Sequence, residues 1–231
     1  MMEGTVKING DFSKRVVEFS DNFPWVASPM KGVERRPLDR LGEEVARATT
    51  VVRFAPGSHF SEHVHTGGEE FFVLAGVFQD EHGDFPAGSY IRNPPESKHT
   101  PASEPGCTIL VKLWQFDLAD RTHVRVDTNK LGRVDDATRE GVAVSPLFQD
   151  ERENVRMEHW QAGASHPVEA EGGAEIFVLE GAITEAEELL PKHAWLRVPI
   201  GYDLNITAGE NGAKLWIKSG HLPFVTAPHV G

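Results

Sequence analysis

The feature that most constrains this chain is that it repeats itself. Gly67-Gly68-Glu69-Glu70-Phe71-Phe72-Val73-Leu74-Ala75-Gly76 returns as Gly172-Gly173-Ala174-Glu175-Ile176-Phe177-Val178-Leu179-Glu180-Gly181. Shorter echoes flank it: Phe54-Ala55-Pro56-Gly57 with Trp160-Gln161-Ala162-Gly163, and Tyr90 to Pro94 with Trp195 to Pro199. Lys112-Leu113-Trp114 is echoed by Lys214-Leu215-Trp216. The copies lie about 105 residues apart, the size of a domain rather than of a solenoid unit. Two related domains in tandem are expected: residues 24–133 and 134–231, with 1–23 as an N-terminal extension. The polar stretch Asp127 to Gly141 is the natural connector, and the short strand signal at Thr5–Ile8 has no partner assignable from sequence.

Both copies read as β-structure. Thr49–Phe54, Glu70–Leu74, Thr108–Phe116 and Thr122–Val126 are β-branched and aromatic runs, separated by Gly, Pro, Asn and Asp at short intervals. Helical periodicity is weak throughout. Thr184 to Leu190, with Glu185, Glu187 and Glu188, has a locally helical composition closed by Pro191, and is expected as a turn or short helix. An all-β protein of two barrels or sandwiches follows.

Composition excludes several partners. Lys and Arg number 23 against 35 Asp and Glu, giving a net charge of −12. Nucleic acid and anionic membranes both require a basic face, so neither is expected as a partner. The longest apolar stretch, Phe71 to Phe78, is under half of what a membrane-spanning helix needs. Met1 to Asp11 carries Glu3, Lys7 and Asp11 and lacks a signal-peptide core. With a single cysteine, Cys107, a cytoplasmic protein without disulfides is expected. Cys107 is read as a buried, inert thiol.

Eleven histidines stand out, several of them between His59 and His99. On a strand, His63 and His65 face the same side, and Glu69 follows after the Gly67-Gly68 turn. His99 lies beyond the Gly83–Gly88 turn and the Pro94-Pro95 break. Three histidines at preset positions arise by chance on the order of once in ten thousand for this composition. Three imidazoles and a carboxylate on neighbouring strands suit a divalent first-row metal. His59 reads as a solvent-facing loop residue. Glu70, recurring as Glu175, reads as structural, through an ion pair with Arg53 or a turn contact. Arg53, Phe71, Tyr90 and Val111 are pocket candidates by strand position, and Trp160, Trp195 and Trp216 are core or interface candidates.

The run Gly57, His63-Val64-His65, Glu69, Gly76 is similar to the first cupin motif, and Gly83–Gly88 with His99 resembles the second in a longer form. That longer form, with Phe78–Asp84, Arg92–Pro95, Ser97–His99 and Val111–Phe116, resembles the ChrR-type cupin family over about residues 24–126. The resemblance implies double-stranded β-helix barrels, a homodimer, and one divalent metal on His63, His65, Glu69 and His99. Zinc is the metal that the resemblance implies; iron, nickel and manganese suit the same ligands. In the second copy Val168, Ala170, Ala174 and Leu204 replace the four ligands, so that lobe is expected to be metal-free.

Two functions remain open. One is a regulatory or sensory metal-binding bicupin in a stress response, similar to the cupin domain of the anti-sigma factor ChrR and able to take a small-molecule ligand. Only about 23 residues precede the first barrel, far short of the helical anti-sigma domain, which argues against direct sigma-factor binding. The other is a metal-dependent dioxygenase acting on a small carbonyl or diketone-like substrate. No catalytic residue and no organic cofactor is assigned.

Overall fold

The computed structural model describes residues 7–43 and 45–228. It divides into two compact units, each an antiparallel β-barrel, and no α-helix occurs among the described residues. None of its helices is long and apolar enough to cross a membrane.

In the first unit, built mainly from Pro24–Lys130, the principal sheet runs Lys7–Ile8, Val33–Gly42, Ala46–Phe54, Cys107–Leu113, Glu69–Asp80, Ser89–Asn93, Val124–Asp127. A second small sheet pairs His63–His65 with Ser97–His99. Inward residues of alternate positions make the core: Val52, Phe71, Val73, Phe78, Ile91, Ile109 and Val111. Of the strand expected at Thr5–Ile8, Thr5 and Val6 lie outside the described residues, while Lys7 and Ile8 pair with Leu41 and Arg40.

The second unit comprises Asp11–Phe23 and Leu131–Val225. Its sheet repeats the same order: Val134–Asp135, Val142–Gln149, Asn154–Trp160, Asn205–Ser219, Ala174–Glu185, Ala194–Val198, Val16–Phe19. Its last strand comes from the stretch read as an N-terminal extension. Val16–Phe19 pairs with Ala194–Arg197, as Val124–Asp127 pairs with Ser89–Arg92 in the first unit. Arg15 fixes this strand, donating to Glu185 at 2.7 Å and Glu188 at 2.9 Å.

The helical reading of Thr184–Leu190 is corrected. Glu185 and Glu188 are partners in a hairpin whose turn is Ala186-Glu187, with φ of 47° and 65°. Two consecutive left-handed residues match the twist of the flanking strands, which overrides a helix-favouring composition.

One repeat equivalence also needs correction. Across strands Glu70 faces Lys112, and Glu175 faces Lys218, not Lys214. Lys112-Leu113-Trp114 therefore corresponds to Lys218-Ser219-Gly220, and the Trp114 and Gly220 amides donate to the equivalent Gly68 and Gly173 carbonyls. A four-residue slip leaves every side chain on the same face, so alternation could not reveal it.

Glu70 and Glu175 are structural, through partners other than those expected. The Tyr90 hydroxyl donates to Glu70 at 2.5 Å, and Trp195 Nε1 donates to Glu175 at 3.1 Å. Arg53 instead donates to Glu34 at 3.0 Å. Gly76 and Gly181 close the shared motif with φ of 71°. A Cβ at either would fall 2.0 Å from a carbonyl oxygen, of Gly106 or of Gly212.

Candidate metal centre

His63 and His65 sit two apart on one short strand, so both rings project to the same side. The facing strand places His99 directly opposite His63. The chain then turns through Gly67 and Gly68, where Gly68 has φ of 78° and Gly67 packs against the Trp114 ring with no room for a Cβ. Glu69 opens the next strand immediately after that turn.

The three imidazoles converge. One ligand nitrogen from each of His63, His65 and His99 lies within 4.8 Å of the others. His65 Nε2 and His99 Nε2 are 2.9 Å apart. Nitrogens on one ion at metal–nitrogen distances of about 2.0–2.1 Å would lie about 2.9 Å apart as cis ligands of an octahedron, and about 3.4 Å apart in a tetrahedron. The donor set therefore fits a divalent cation, and three neutral imidazoles can hold one. Glu69 stands at the edge of this cluster, its Oε2 3.4 Å from His65 Nε2 and 3.5 Å from His99 Nε2. Asn93 Nδ2 lies 3.4 Å from the same oxygen.

Burial and charge treat the rings differently. His65 is 8% exposed, and burial, with the neighbouring imidazoles, pushes its pKa below the ordinary value despite Glu69. His99 is 2% exposed; burial opposes its charge, yet the hydrogen bond to Asp80 and the charges of Glu69, Asp80 and Glu81 raise its pKa. Asp80 is the residue sequence reasoning missed. Its Oδ2 lies 3.2 Å from His99 Nδ1, leaving Nε2 to face the cluster. The Asp80–Gly83 hairpin tip that carries it stood in the quoted motif, but a contact across strands leaves no spacing signature of its own.

A cavity of about 300 Å³ adjoins the cluster. His63, His65 and Glu69 border it, and Val52, Phe60, Ile109 and Val111 are among its apolar lining. Of the pocket candidates Val111 lines it, whereas Arg53, Phe71 and Tyr90 do not. His59 is exposed and pairs with Glu104 at 2.8 Å, away from the site. Cys107 is buried, and burial pushes its thiol up to about 11, which keeps it an unreactive thiol. Trp160, Trp195 and Trp216 are all buried.

The second unit has the same frame without the histidines and the carboxylate. The Val168 amide donates to the Leu204 carbonyl at 2.8 Å, where His63 and His99 stand opposite each other in the first. Val168, Ala170, Ala174 and Leu204 all belong to one buried apolar cluster. Apolar side chains fill that space at no desolvation cost, whereas an uncompensated carboxylate would be expensive there.

Residues 13–117 match the family described as the ChrR cupin-like domain. That stretch is similar to the ChrR cupin-like domain. Solved structures share the fold across most of the chain. A candidate dioxygenase of Nostoc punctiforme PCC 73102 is 13% identical, with a TM-score of 0.74 over 95% of this chain and 87% of its own. The bacterial pirin YhhW of Escherichia coli, in complex with nickel(II), is 12% identical, with a TM-score of 0.61 over 89% and 98%. The oxalate decarboxylase of Lactobacillus farciminis, in a formate complex, is 12% identical, with a TM-score of 0.63 over 89% and 86%. At these identities the likeness concerns the cupin fold. No curated protein sequence matches the chain significantly.

Proposed function

We propose that the first barrel holds one divalent metal on His63, His65 and His99, with Glu69 as a fourth ligand, and acts as a metal-dependent oxygenase on a small molecule. The observation that carries this reading is the cavity beside the histidines. A metal that only stabilises a fold needs no adjoining space, whereas a catalytic one keeps positions open for substrate. Bound iron, manganese or nickel would supply Lewis acidity toward a substrate oxygen, and a redox-active ion would supply a site for dioxygen chemistry.

The chain's own residues set the conditions for that chemistry. Asp80 holds the His99 ring with Nε2 inward. Glu69 brings one negative charge to the three neutral rings. The apolar lining limits water around the substrate, which strengthens the polar contacts that remain. A small carbonyl or diketone-like compound suits such a space.

The regulatory reading takes second place. It draws on the match to the ChrR cupin-like domain, and on the possibility that Glu69 completes a closed four-ligand zinc site. Elemental analysis followed by spectroscopic detection of exchangeable water on the bound metal separates the two. Iron, nickel or manganese with exchangeable water supports catalysis; zinc saturated by four protein ligands supports sensing.

A further inference from the structure

The cavity beside the histidines also carries two guanidinium groups, Arg35 and Arg40. They are five residues apart on the Val33–Gly42 strand, a separation that puts side chains on opposite faces of a regular strand. A bulge between Pro37 and Asp39 changes this. It shifts the register so that Arg35 pairs with Val52 and Arg40 with Ala48, and both of those partners line the cavity. The irregularity brings two like charges to one wall of one space.

Like charges on one wall repel and are costly to shield from water. Both groups are partly buried; burial lowers the pKa of each, and the charge of Arg40 lowers that of Arg35 further. Arg40 is occupied, donating to the Gly42 carbonyl at 3.2 Å and to the Glu43 carbonyl. Arg35 has no hydrogen-bond or ion-pair partner among the described residues. Glu69, the acid among the lining residues, faces His65 and His99. Among the described residues a planar fork of donors is thus left without a partner, in a space whose walls include Val33, Val52, Ile109 and Val111 beside the histidines.

We propose that Arg35, flanked by Arg40, is the carboxylate anchor of this cavity, and that its ligand is a small organic carboxylate with an apolar body. This deepens the reading of the cavity as the substrate site of the metal centre and rests on it. The carboxylate accepts from the guanidinium, the apolar body lies against Val52, Ile109 and Val111, and the volume limits the ligand to a small molecule.

The test is calorimetric titration of the full chain with benzoate and hexanoate, and with their neutral amides, in buffer free of phosphate and sulfate. At least one carboxylate should bind more tightly than its amide. Arg35→Met should weaken carboxylate binding by about tenfold or more and leave amide binding unchanged, while Arg35→Lys should retain part of the preference. Thermal unfolding confirms that each variant is folded. Carboxylates that bind Arg35→Met as tightly as wild type, amides that bind as well as carboxylates, or no binding of either acid would overturn the proposal. Cobalt(II) titration of the same samples keeps the two claims apart. Arg35→Met should take up cobalt as wild type does, and His65→Ala should lose cobalt. Absence of cobalt binding by wild type would reject the metal reading, while the Arg35 variants would still decide the anchor.

Discussion

His99 Nδ1 lies 3.2 Å from the Asp80 carboxylate, and this contact determines which face of the ring meets His65. Ring orientation at a metal site is commonly fixed by such an outer partner, which also makes the ligand more basic. Asp80→Asn keeps the size of the side chain and removes its charge. It should lower metal affinity by about 10- to 100-fold without unfolding the barrel, as measured by competition with a chelator. Wild-type affinity in this variant would mean that packing alone orients His99.

The second barrel depends on a buried cation. Lys218 is 0% exposed and pairs with Glu153 at 2.7 Å, while facing Glu175 across the sheet. Lys218→Met removes the cation paired with the buried Glu153 carboxylate, and should cost about 3–5 kcal/mol in denaturant unfolding. A loss below about 1 kcal/mol would show that the Glu153 carboxylate finds another partner or water.

Acid sensitivity should arise partly at His159. Burial first, then the charges of Arg133 and Lys214, push its pKa down from 6.5 to about 4. The unfolded chain therefore binds a proton there at a higher pH than the folded one. Stability attributable to His159 is complete above about pH 6.5 and is lost as pH falls toward about 4. His159→Gln should flatten the melting temperature against pH in that window, relative to wild type. An unchanged profile would assign the acid sensitivity to other groups.

Much of the frame was legible because it rests on local patterning. The His63-Val64-His65 spacing reads directly as two rings on one face, and His99 as a third from a neighbouring strand. The apolar replacements at Val168, Ala170, Ala174 and Leu204 were equally readable, since each is a change of residue type at an aligned position. What escaped depends on contacts distant in sequence or on backbone geometry. Asp80 touches His99 from 19 residues away. The Ala186-Glu187 turn uses left-handed backbone without the Gly or Asn that usually announces it. Val16–Phe19 lies far in sequence from its partner strand Ala194–Val198. The Lys112 equivalence slipped by four because alternation preserves the face under any even shift. Arg40 joins Arg35 only through a bulge that no residue type marks.

The central claim is one metal centre in the first barrel and none in the second. Metal analysis of the purified full chain, beside its His65→Ala variant, tests it most directly. The expected result is about one divalent ion per chain in wild type and close to none in the variant. Two ions per chain, or full retention of metal in His65→Ala, would contradict it.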